Sequence, residues 1–437
     1  MREALAGLTT RGRAFVAAGV TAIVCASILD QTTLVRVGVL VLVLPLITAY
    51  VVGRSRYQLS LVRTVTPQLV SAGQPARVDL ALANEGRAPN GVLMLEDQLP
   101  YVLGSRPRFV LEGVGHGWRR RVSYQVRSDV RGRFELGPMR VRVGDPFGLV
   151  EVERAFQTSV PLTVTPRTVP LPAIPLGGAW TGSGDNRPRA FATGSAEDVT
   201  VREYRRGDDL RRVHWRSSAR MGELMVRREE QPWQSRATLF LDNRAVAHRG
   251  QGVASSLEAA VSAAASIAVH LGNRGFTVRL VTATGEESGG AWHVRDAELI
   301  SRALLEALAV VEPATAPRVD SGWLTEHGTG GLTVAVLGAV APTDLPVLRR
   351  MQHHAGAALA IALDVDAWGT ERGAGGSRRD LPASGAGTGP GAAPMLAQHG
   401  WRAVPLRPHD RLDAAWQELA RAGVGGAGRA TYSGVGR

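Results

Sequence analysis

The sequence predicts a protein in three parts: an N-terminal transmembrane α-hairpin, then an all-β sandwich, then a doubly wound α/β domain. Three observations predict this order. Two apolar runs of membrane-spanning length lie near the start, a middle region alternates apolar and polar residues with a period of two, and the last third alternates strand-like with helix-like segments. We place the boundaries at residues 1–53 for the hairpin, 54–165 for the sandwich, 166–235 for a linker and 236–437 for the α/β domain.

The predicted hairpin rests on apolar runs at residues 14–29 and 34–52. Each is close to the roughly 20 residues that cross a bilayer as a helix. A signal peptide is a second interpretation of the first run, but no small-residue cleavage site follows it and another apolar run comes at once. Two buried core helices are the third interpretation. We favour a two-span hairpin, in which Pro45 kinks the second helix.

Most of the nearby basic residues flank the two apolar runs, although Arg36 lies inside the second run, close behind the connecting loop. Arg2, Arg11 and Arg13 precede the first run, Arg54 and Arg56 follow the second, and the connecting DQTT has none. The positive-inside rule therefore places both ends of the hairpin in the cytoplasm. The expected location is the inner or plasma membrane, with two passes, both termini and the bulk of the chain cytoplasmic, and the lipid bilayer as a partner.

The composition excludes some classes of function. The net charge of +12 comes entirely from Arg, which is typical of GC-rich coding, so it does not by itself indicate a nucleic-acid partner. A basic surface also suits anionic lipid headgroups. The one cysteine, Cys25, can form neither an internal disulfide nor a Cys-rich metal site. We expect no nucleic acid and no cofactor to bind.

Alternation with a period of two runs from about residue 57 to residue 165. It is clear at residues 78–82, 122–126 and 139–143, and turn sequences such as GDPFG at 144–148 separate the runs. About seven short strands at such spacing are typical of a β-sandwich.

The last third predicts a mainly parallel sheet. Strands are expected at TLFLDNRA, FTVRLVTATG, LTVAVLGAVAP, ALAIALDVDAW and WRAVPLRPHD, with helices between them and a disordered Gly-rich insert at residues 369–392. Ligands of such sheets bind at the carboxyl ends of the strands. The positions to inspect are therefore Asp242, Asn243, Arg244, Thr282, Thr284 and Asp364. No Gly-rich phosphate loop follows the first strand, which argues against nucleotide binding.

The linker contains a charged segment at residues 201–230, VREYRRGDDLRRVHWRSSARMGELMVRREE. We expect a helix through DLRRVHWRSSARM, capped by Asp208 or Asp209, and then a short strand. One face of that helix would carry Leu210, Val213, Ser217 and Met221. Another would carry Arg212, Arg216 and Arg220. Arg211 and Trp215, four residues apart, would lie close enough for guanidinium–indole stacking.

The same segment resembles the signature of domain-of-unknown-function family 58. The shared pattern is R-E-Y-x-x-G-D-x-x-R-x-x-H/D-W-x-x-x-A-R-x-x-x-L-x-V-R, and RGRFELGPMRVRVGDPFGLVE at residues 131–151 also resembles the family. The matching residues are Arg202, Glu203, Tyr204, Gly207, Asp208, Arg211 or Arg212, His214, Trp215, Ala219, Arg220, Leu224, Val226 and Arg227. The resemblance implies a von Willebrand factor type A-like α/β domain and a MoxR-type AAA+ ATPase as partner, in chaperone-like or cell-envelope assembly.

Four interpretations of residues 201–230 stay open. The segment can hold the sandwich against the α/β domain, or it can dock a partner, since Trp and Arg dominate interface energetics. His214 with Asp208 or Glu203 can form the acid–base pair of a hydrolase, although no nucleophile accompanies them. Interleaved acidic residues argue against nucleic acid. We expect a non-enzymatic adaptor without catalytic residues. Its interaction residues are Arg202, Glu203, Tyr204, Gly207, Asp208, Arg212, His214, Trp215, Ala219 and Arg220.

The resemblance also allows a test for a metal site. Metal-binding type A domains carry D-x-S-x-S after the first strand, and Asp and hydroxyl oxygens suit a hard divalent cation. Here the run is DNRAV at residues 242–246, so both Ser positions are lost. We expect a degenerate site without metal, in which Arg244 pairs with Asp242 where the ion would lie. A simpler role for Asp242, capping the next helix, stays open.

Overall fold

A computed structural model describes residues 7–54, 59–85, 93–112, 114, 117–145, 147–176, 200–204, 213, 215–228, 235–288, 297–324, 331–370 and 391–424. The chain divides into two units. Unit 1 comprises residues 1–168, 251–265 and 305–312, and unit 2 comprises residues 169–250, 266–304 and 313–437.

Unit 1 begins with two apolar helices, α1 (Thr10–Ile28) and α2 (Thr32–Arg54). Both are long and apolar enough to cross a membrane, and less than a third of each apolar stretch is buried. Glycines let the two backbones approach closely. A Cβ on Gly19 would lie 2.8 Å from the Leu42 nitrogen, and a Cβ on Gly38 would lie 2.8 Å from Cγ1 of Ile23. Small residues at such crossings are typical of helix pairs in membranes.

The rest of the N-terminal part of unit 1 is all β. Its strands are β1 (Leu59–Thr66), β2 (Leu69–Ser71), β3 (Pro75–Asn84), β4 (Leu93–Asp97), β5 (Arg108–Leu111), β6 (Arg119–Arg127), β7 (Gly132–Leu136), β8 (Met139–Gly144), β9 (Glu151–Phe156) and β10 (Val160–Thr165). They form three sheets, with orders β1-β3-β6, β2-β10-β7 and β5-β4-β8-β9. Strands as short as β2 carry too few residues for a periodic pattern, so the region has more strands than the seven that alternation predicts.

One apolar cluster joins these three sheets. Val78 of β3, Leu95 of β4 and Leu136 of β7 are fully buried in it, and each comes from a different sheet. The expected inward face at residues 78–82 is confirmed, because Val78, Leu80 and Leu82 are all buried.

A buried ion pair also links the three sheets. Nη2 of Arg63 on β1 lies 2.6 Å from Oδ1 of Asp97 on β4, and the two side chains are 1% and 0% exposed. Nη1 of Arg63 donates to the carbonyls of Leu136 and Thr158 at 2.8 and 2.7 Å. The Tyr124 hydroxyl on β6 donates to Oδ2 of Asp97 at 2.5 Å. Burial raises the pKa of Asp97 against the opposing effects of Tyr124 and Arg63.

After these strands, unit 2 contributes a separate two-stranded sheet and one six-stranded sheet. The small sheet pairs β11 (Thr200–Glu203) with β12 (Met225–Arg228). The large sheet has order β15-β14-β13-β16-β17-β18. Its strands are β13 (Ser235–Leu241), β14 (Phe276–Thr282), β15 (Glu287–Ser288), β16 (Leu332–Leu337), β17 (Ala357–Leu363) and β18 (Arg402–Leu406). Only the short edge strand β15 is antiparallel to its neighbour.

Helices alternate with these strands along the chain. They are α3 (Trp215–Met221), α4 (Ser256–Asn273), α5 (Ala297–Ala309), α6 (Leu345–His354), α7 (Val365–Thr370), α8 (Ala392–Gln398) and α9 (Leu412–Val424). All six residues of β16 are buried, as expected for a central parallel strand that is covered on both faces. The predicted alternation of strands and helices is confirmed.

Two details of the α/β region differ from the sequence prediction. The expected strand ALAIALDVDAW ends at Leu363, because the chain turns at Asp364 and α7 begins at Val365. The predicted insert at residues 369–392 is too long at both ends. Residues 369–370 belong to α7 and Ala392 begins α8, while residues 371–390 lie outside the described part of the chain.

Replacing Arg63 with Met is expected to destabilise the protein strongly. The substitution leaves the Asp97 carboxyl group buried without its charged partner, which costs about 3–5 kcal/mol. Urea denaturation of the detergent-solubilised full chain, followed by circular dichroism, measures the loss. Arg77→Met is the matched control, because the ion pair of Arg77 with Asp79 on β3 is solvent-exposed. Equal losses in the two variants would contradict the role given to Arg63.

Candidate functional site

A buried cluster of one guanidinium and two carboxylates lies past the carboxyl end of β13. Arg244, Asp242 and Asp344 are all buried. Nε and Nη2 of Arg244 donate to the two oxygens of Asp242 at 2.9 and 2.8 Å. Nη1 and Nη2 donate to the two oxygens of Asp344 at 2.8 and 3.0 Å. One guanidinium therefore binds both carboxylates in a bidentate manner.

The strand order brings these three side chains together. Asp242 follows β13 directly, and its N–H donates to the Val336 carbonyl of β16 at 2.9 Å. Asp344 closes the 3₁₀ turn Pro342–Asp344 after β16, where its Oδ2 accepts from the Ala341 N–H at 3.0 Å. The chain order of the strands reverses between β13 and β16. Ligands of open α/β sheets bind at this switch point, so the cluster occupies the ligand position of the fold.

Electrostatics favour the charged form of Arg244. Burial alone would lower the pKa of this guanidinium, but the hydrogen bonds and charges of Asp242 and Asp344 outweigh burial and raise the pKa. The arginine is therefore a permanent cation between the two carboxyl groups.

His248 and Asn243 support the cluster from the same loop. Nε2 of His248 lies 2.6 Å from the Asp242 carbonyl oxygen, and since a carbonyl only accepts, Nε2 carries the proton. Burial lowers the pKa of His248. Oδ1 of Asn243 accepts from the Ala283 N–H at 3.2 Å, which ties this loop to the residue after β14.

The expected ion pair between Arg244 and Asp242 is present, whereas Asp344 is a partner that sequence reasoning missed. Asp344 lies 100 residues away from Arg244, and only the adjacency of β13 and β16 reveals it. Carboxylates are ligands that a divalent cation prefers, but both are engaged by Arg244. Within the described residues, no group of three or more His, Cys, Asp or Glu side chains is arranged to hold a metal. That no metal binds stays a prediction.

The remaining strand-end candidates are not among the partners of Arg244. The hydroxyls of Thr282 and Thr284 lie 3.0 Å from each other at the end of β14. Asp364, at the end of β17, forms an exposed ion pair with Arg407 at 3.4 Å.

The charged segment at residues 201–230 is described in part. β11 places Arg202 and Glu203 beside β12, with Arg202 opposite Val226. The Tyr204 N–H then donates to the Leu224 carbonyl at 2.7 Å. The other residues expected at this site that precede α3 lie outside the described residues. They are Gly207, Asp208, Arg212 and His214.

The expected helix through DLRRVHWRSSARM is wrong at its start. Val213 forms an antiparallel bridge with Val226 of β12 and is buried there, so α3 begins only at Trp215. Val213 therefore does not share a helical face with Ser217 and Met221. Burial against β12 outweighs the helical spacing that the sequence shows, which is a common effect of tertiary context on local preference.

α3 presents aromatic and basic side chains to solvent. Trp215 is 70% exposed and no residue of α3 is buried. Ala219, Arg216 and Arg220 are also exposed. Oγ of Ser218 accepts from the Met225 N–H at 2.9 Å, which fixes α3 to β12. A helix of 7 residues is not stable by itself, so this attachment is needed to hold Trp215 in place.

Residues 200–321 match the family described as Protein of unknown function DUF58. The DUF58 match includes β11, α3 and β12, and it also includes Asp242, Arg244 and His248. It ends before Asp344. The resemblance predicted from residues 201–230 is thereby confirmed for this part of the chain. No curated protein matches the chain.

Several solved structures resemble about a quarter of the chain. The CARDB domain of the PF1109 protein from Pyrococcus furiosus is 12% identical, with 25% of this chain and 94% of that chain covered and a TM-score of 0.20. A chain of the complex of zinc 2-glycoprotein with prolactin inducible protein, from human seminal plasma, is 13% identical, with coverages of 25% and 98% and a TM-score of 0.19. BslA, a bacterial hydrophobin, is 13% identical, with coverages of 24% and 99% and a TM-score of 0.16. Because these TM-scores are low, no conclusion rests on them.

Arg244→Ala is expected to destabilise the DUF58-matching part of the chain by about 3–5 kcal/mol, because two buried carboxylates then face each other without a cation. Mg²⁺ or Mn²⁺ is expected to raise the Tm of this variant and to leave the Tm of the wild type unchanged. Thermal unfolding of the full chain with and without each ion measures both effects. Arg249→Ala, an exposed arginine in the same loop, is the control. Calorimetric binding of either ion to the wild type would refute the expected absence of metal.

Stability is expected to fall as the pH drops below about 6.5, the ordinary pKa of histidine. Burial lowers the pKa of His248 in the folded state, so the unfolded chain binds the proton at a higher pH than the folded chain. Stability therefore rises with pH across that window. Urea midpoints at several pH values, compared between wild type and His248→Gln, measure the contribution. If the stability of the variant depends on pH as that of the wild type does, His248 does not make this contribution.

Proposed function

We propose that the protein is a membrane-anchored, non-enzymatic adaptor that works with a MoxR-type AAA+ ATPase in chaperone-like or cell-envelope assembly. The observation that carries this proposal is the exposed Trp215 on α3, which lies within the DUF58 match and has exposed Arg neighbours. The two apolar helices support the anchoring part of the proposal. Arginines at the start of α1 and at the end of α2, with none in the DQTT between the apolar runs, support a cytoplasmic location for the bulk of the chain.

The proposal includes a von Willebrand factor type A-like domain formed around the six-stranded sheet. Its support is a mainly parallel sheet whose first strand, β13, ends in Asp242 at the switch point. This is the place that the Asp of D-x-S-x-S would take. Type A domains bind proteins in general, so a protein partner follows from analogy of fold.

In this domain Arg244 takes the role of the divalent cation. Its guanidinium neutralises Asp242 and Asp344, and its donors are directed to their four oxygens. The N–H groups of the buried guanidinium are already bound to Asp242 and Asp344. Arg244 therefore cannot also bind a carboxylate of a partner protein. The proposed adaptor therefore contacts its partner through another surface, and α3 is the surface that we propose.

α3 has the composition of an interface hot spot. Trp and Arg are the residue types most enriched among side chains whose truncation costs 2 kcal/mol or more of binding energy. Trp215 contributes a large apolar surface, and the same helix also exposes Arg216 and Arg220. Because Trp215 is 70% exposed, its surface is available to a partner.

Trp215→Ala is expected to abolish recovery of a MoxR-type ATPase in affinity purification from the native cell, followed by mass spectrometry. The wild type is expected to recover the ATPase near stoichiometry. Truncation of a hot-spot Trp costs about 2 kcal/mol of binding free energy, which makes the affinity roughly 30-fold weaker. Met221→Ala is the matched control, because Met221 is 68% exposed at the other end of α3.

A different result is expected if the segment at residues 201–230 serves only to hold the sandwich against the α/β domain. Trp215→Ala would then lower the Tm, whereas an exposed docking residue leaves the Tm unchanged. If the wild type recovers no ATPase even with a non-hydrolysable nucleotide, the adaptor proposal is rejected.

The alternative proposal is a hydrolase with His214 and Asp208 as the acid–base pair. Both residues lie outside the described part of the chain, so no geometry supports this alternative. Nearby Ser218 is engaged by the Met225 N–H. An unaltered phenotype of His214→Ala in the native cell would argue against a hydrolase.

A further inference from the structure

The start of α1 is attached to the turn between β8 and β9. We define the β8–β9 turn as Asp145 and residues 147–150, between the end of β8 and the start of β9. Leu8 forms an antiparallel bridge with Val150 of this turn. The Thr9 N–H donates to the Leu149 carbonyl at 2.9 Å. The chain therefore enters α1 as an added strand beside the turn.

The first turn of α1 continues this contact. Oγ1 of Thr9 donates to the Gly148 carbonyl at 2.7 Å and accepts from the Gly12 N–H at 3.1 Å. Thr9 thus caps α1 and holds the β8–β9 turn at the same time. A Cβ on Gly12 would lie only 2.2 Å from the Leu149 carbonyl oxygen, so the contact requires glycine.

The other helix of the hairpin reaches the same turn. Ala49 and Val52, near the end of α2, are buried in one apolar cluster with Leu149 and Val150. The ends of both helices therefore meet at the β8–β9 turn. α1 has 19 residues and is about 28 Å long, close to the roughly 30 Å of a bilayer hydrocarbon core. When the hairpin spans a bilayer, the β8–β9 turn lies at the edge of the hydrocarbon.

The turn exposes an aromatic side chain beside an arginine. Phe147 is 60% exposed, although its backbone is fixed, because its N–H donates to Oδ2 of Asp145 at 2.9 Å. Nη1 of Arg11 would lie 3.9 Å from a Cβ on Gly148, so this exposed arginine extends over the turn. Apolar rings such as Phe insert at the boundary between headgroups and acyl chains, and arginines extend their charged ends to the headgroups.

We propose that Phe147 and Arg11 enter the headgroup layer of the bilayer, so that the β8–β9 turn rests on the membrane surface. Phe147 contacts the acyl boundary, and Arg11 binds the phosphate of anionic phospholipids. This inference rests on the proposed membrane anchoring of α1 and α2. It adds to that anchoring a defined face of the all-β region that lies against the lipid.

A matched control lies at the opposite end of the same sheet. β4 runs antiparallel to β8, with Leu93 opposite Val143 and Asp97 opposite Met139. The 3₁₀ turn Tyr101–Leu103 follows the end of β4, and it is therefore remote from the β8–β9 turn. Tyr101 is 91% exposed there. Single exposed aromatic residues are common on soluble proteins. A spin label at position 101 therefore provides the reference value for a residue exposed to water.

The test uses site-directed spin labels in the full-length protein. Cys25 is the only cysteine, so Cys25→Ser gives a background free of other thiols. Phe147→Cys, Tyr101→Cys and Val20→Cys are labelled separately and reconstituted in nanodiscs that contain anionic phospholipid. Val20 is an exposed residue in the middle of α1 and reports insertion of the hairpin. Power-saturation spectra compare collision with oxygen, which concentrates in lipid, against collision with a water-soluble nickel chelate.

The expected result is lipid-type accessibility at position 20, interfacial accessibility at position 147 and aqueous accessibility at position 101. Collision with the nickel chelate at position 147 is expected to be several-fold lower than at position 101. If position 20 is lipid-exposed and position 147 matches position 101, the inference is overturned and the membrane anchor stands. If position 20 is aqueous, both the anchor and the inference are overturned.

Discussion

A guanidinium buried against carboxyl groups is the interaction on which each unit depends. In unit 1, Arg63 of β1 meets Asp97 of β4, 34 residues further along the chain. In unit 2, Arg244 meets both Asp242 and Asp344. Removing an ion from water costs several kcal/mol unless its partner and its hydrogen bonds are in place. Each arginine can therefore be buried only when strands from distant segments have reached their final order. The two ion pairs therefore join strands that are distant in the sequence.

The identity of the cation also determines what the switch point can do. A bound divalent ion can be lost, gained or shared with a partner, because it keeps open coordination positions. Arg244 is covalently part of the chain, and its donors are already used by Asp242 and Asp344. Unit 2 therefore combines a closed ligand position at the switch point with an exposed Trp215 that lies within the DUF58 match. Recognition through α3 needs no metal, and this is the physical reason why the proposed adaptor function is assigned to that helix.

Periodicity predicted most of the elements, and it failed where one contact outweighed the local pattern. Val213 fits a helical face in the sequence, yet its bridge to Val226 keeps it extended. Arg244 and Asp242 are two residues apart, so their pairing could be predicted, whereas Asp344 required the strand order. The position of Arg63 in the sequence could have predicted its buried ion pair. It shares the inward parity of Leu61 and Val65 on β1, and an arginine on an inward face requires a buried acid.

The attachment of α1 and α2 to the β8–β9 turn bears on how the proposed adaptor would work. The chain before α1 pairs with that turn, and Gly12 permits contact at a distance that no side chain would allow. Only four residues separate the end of α2 from the start of β1. The hairpin is therefore held at both ends, and it is not a loose tether. In the proposed membrane-anchored adaptor, this contact holds the all-β region against the end of the hairpin, whereas a flexible linker would let the two move apart.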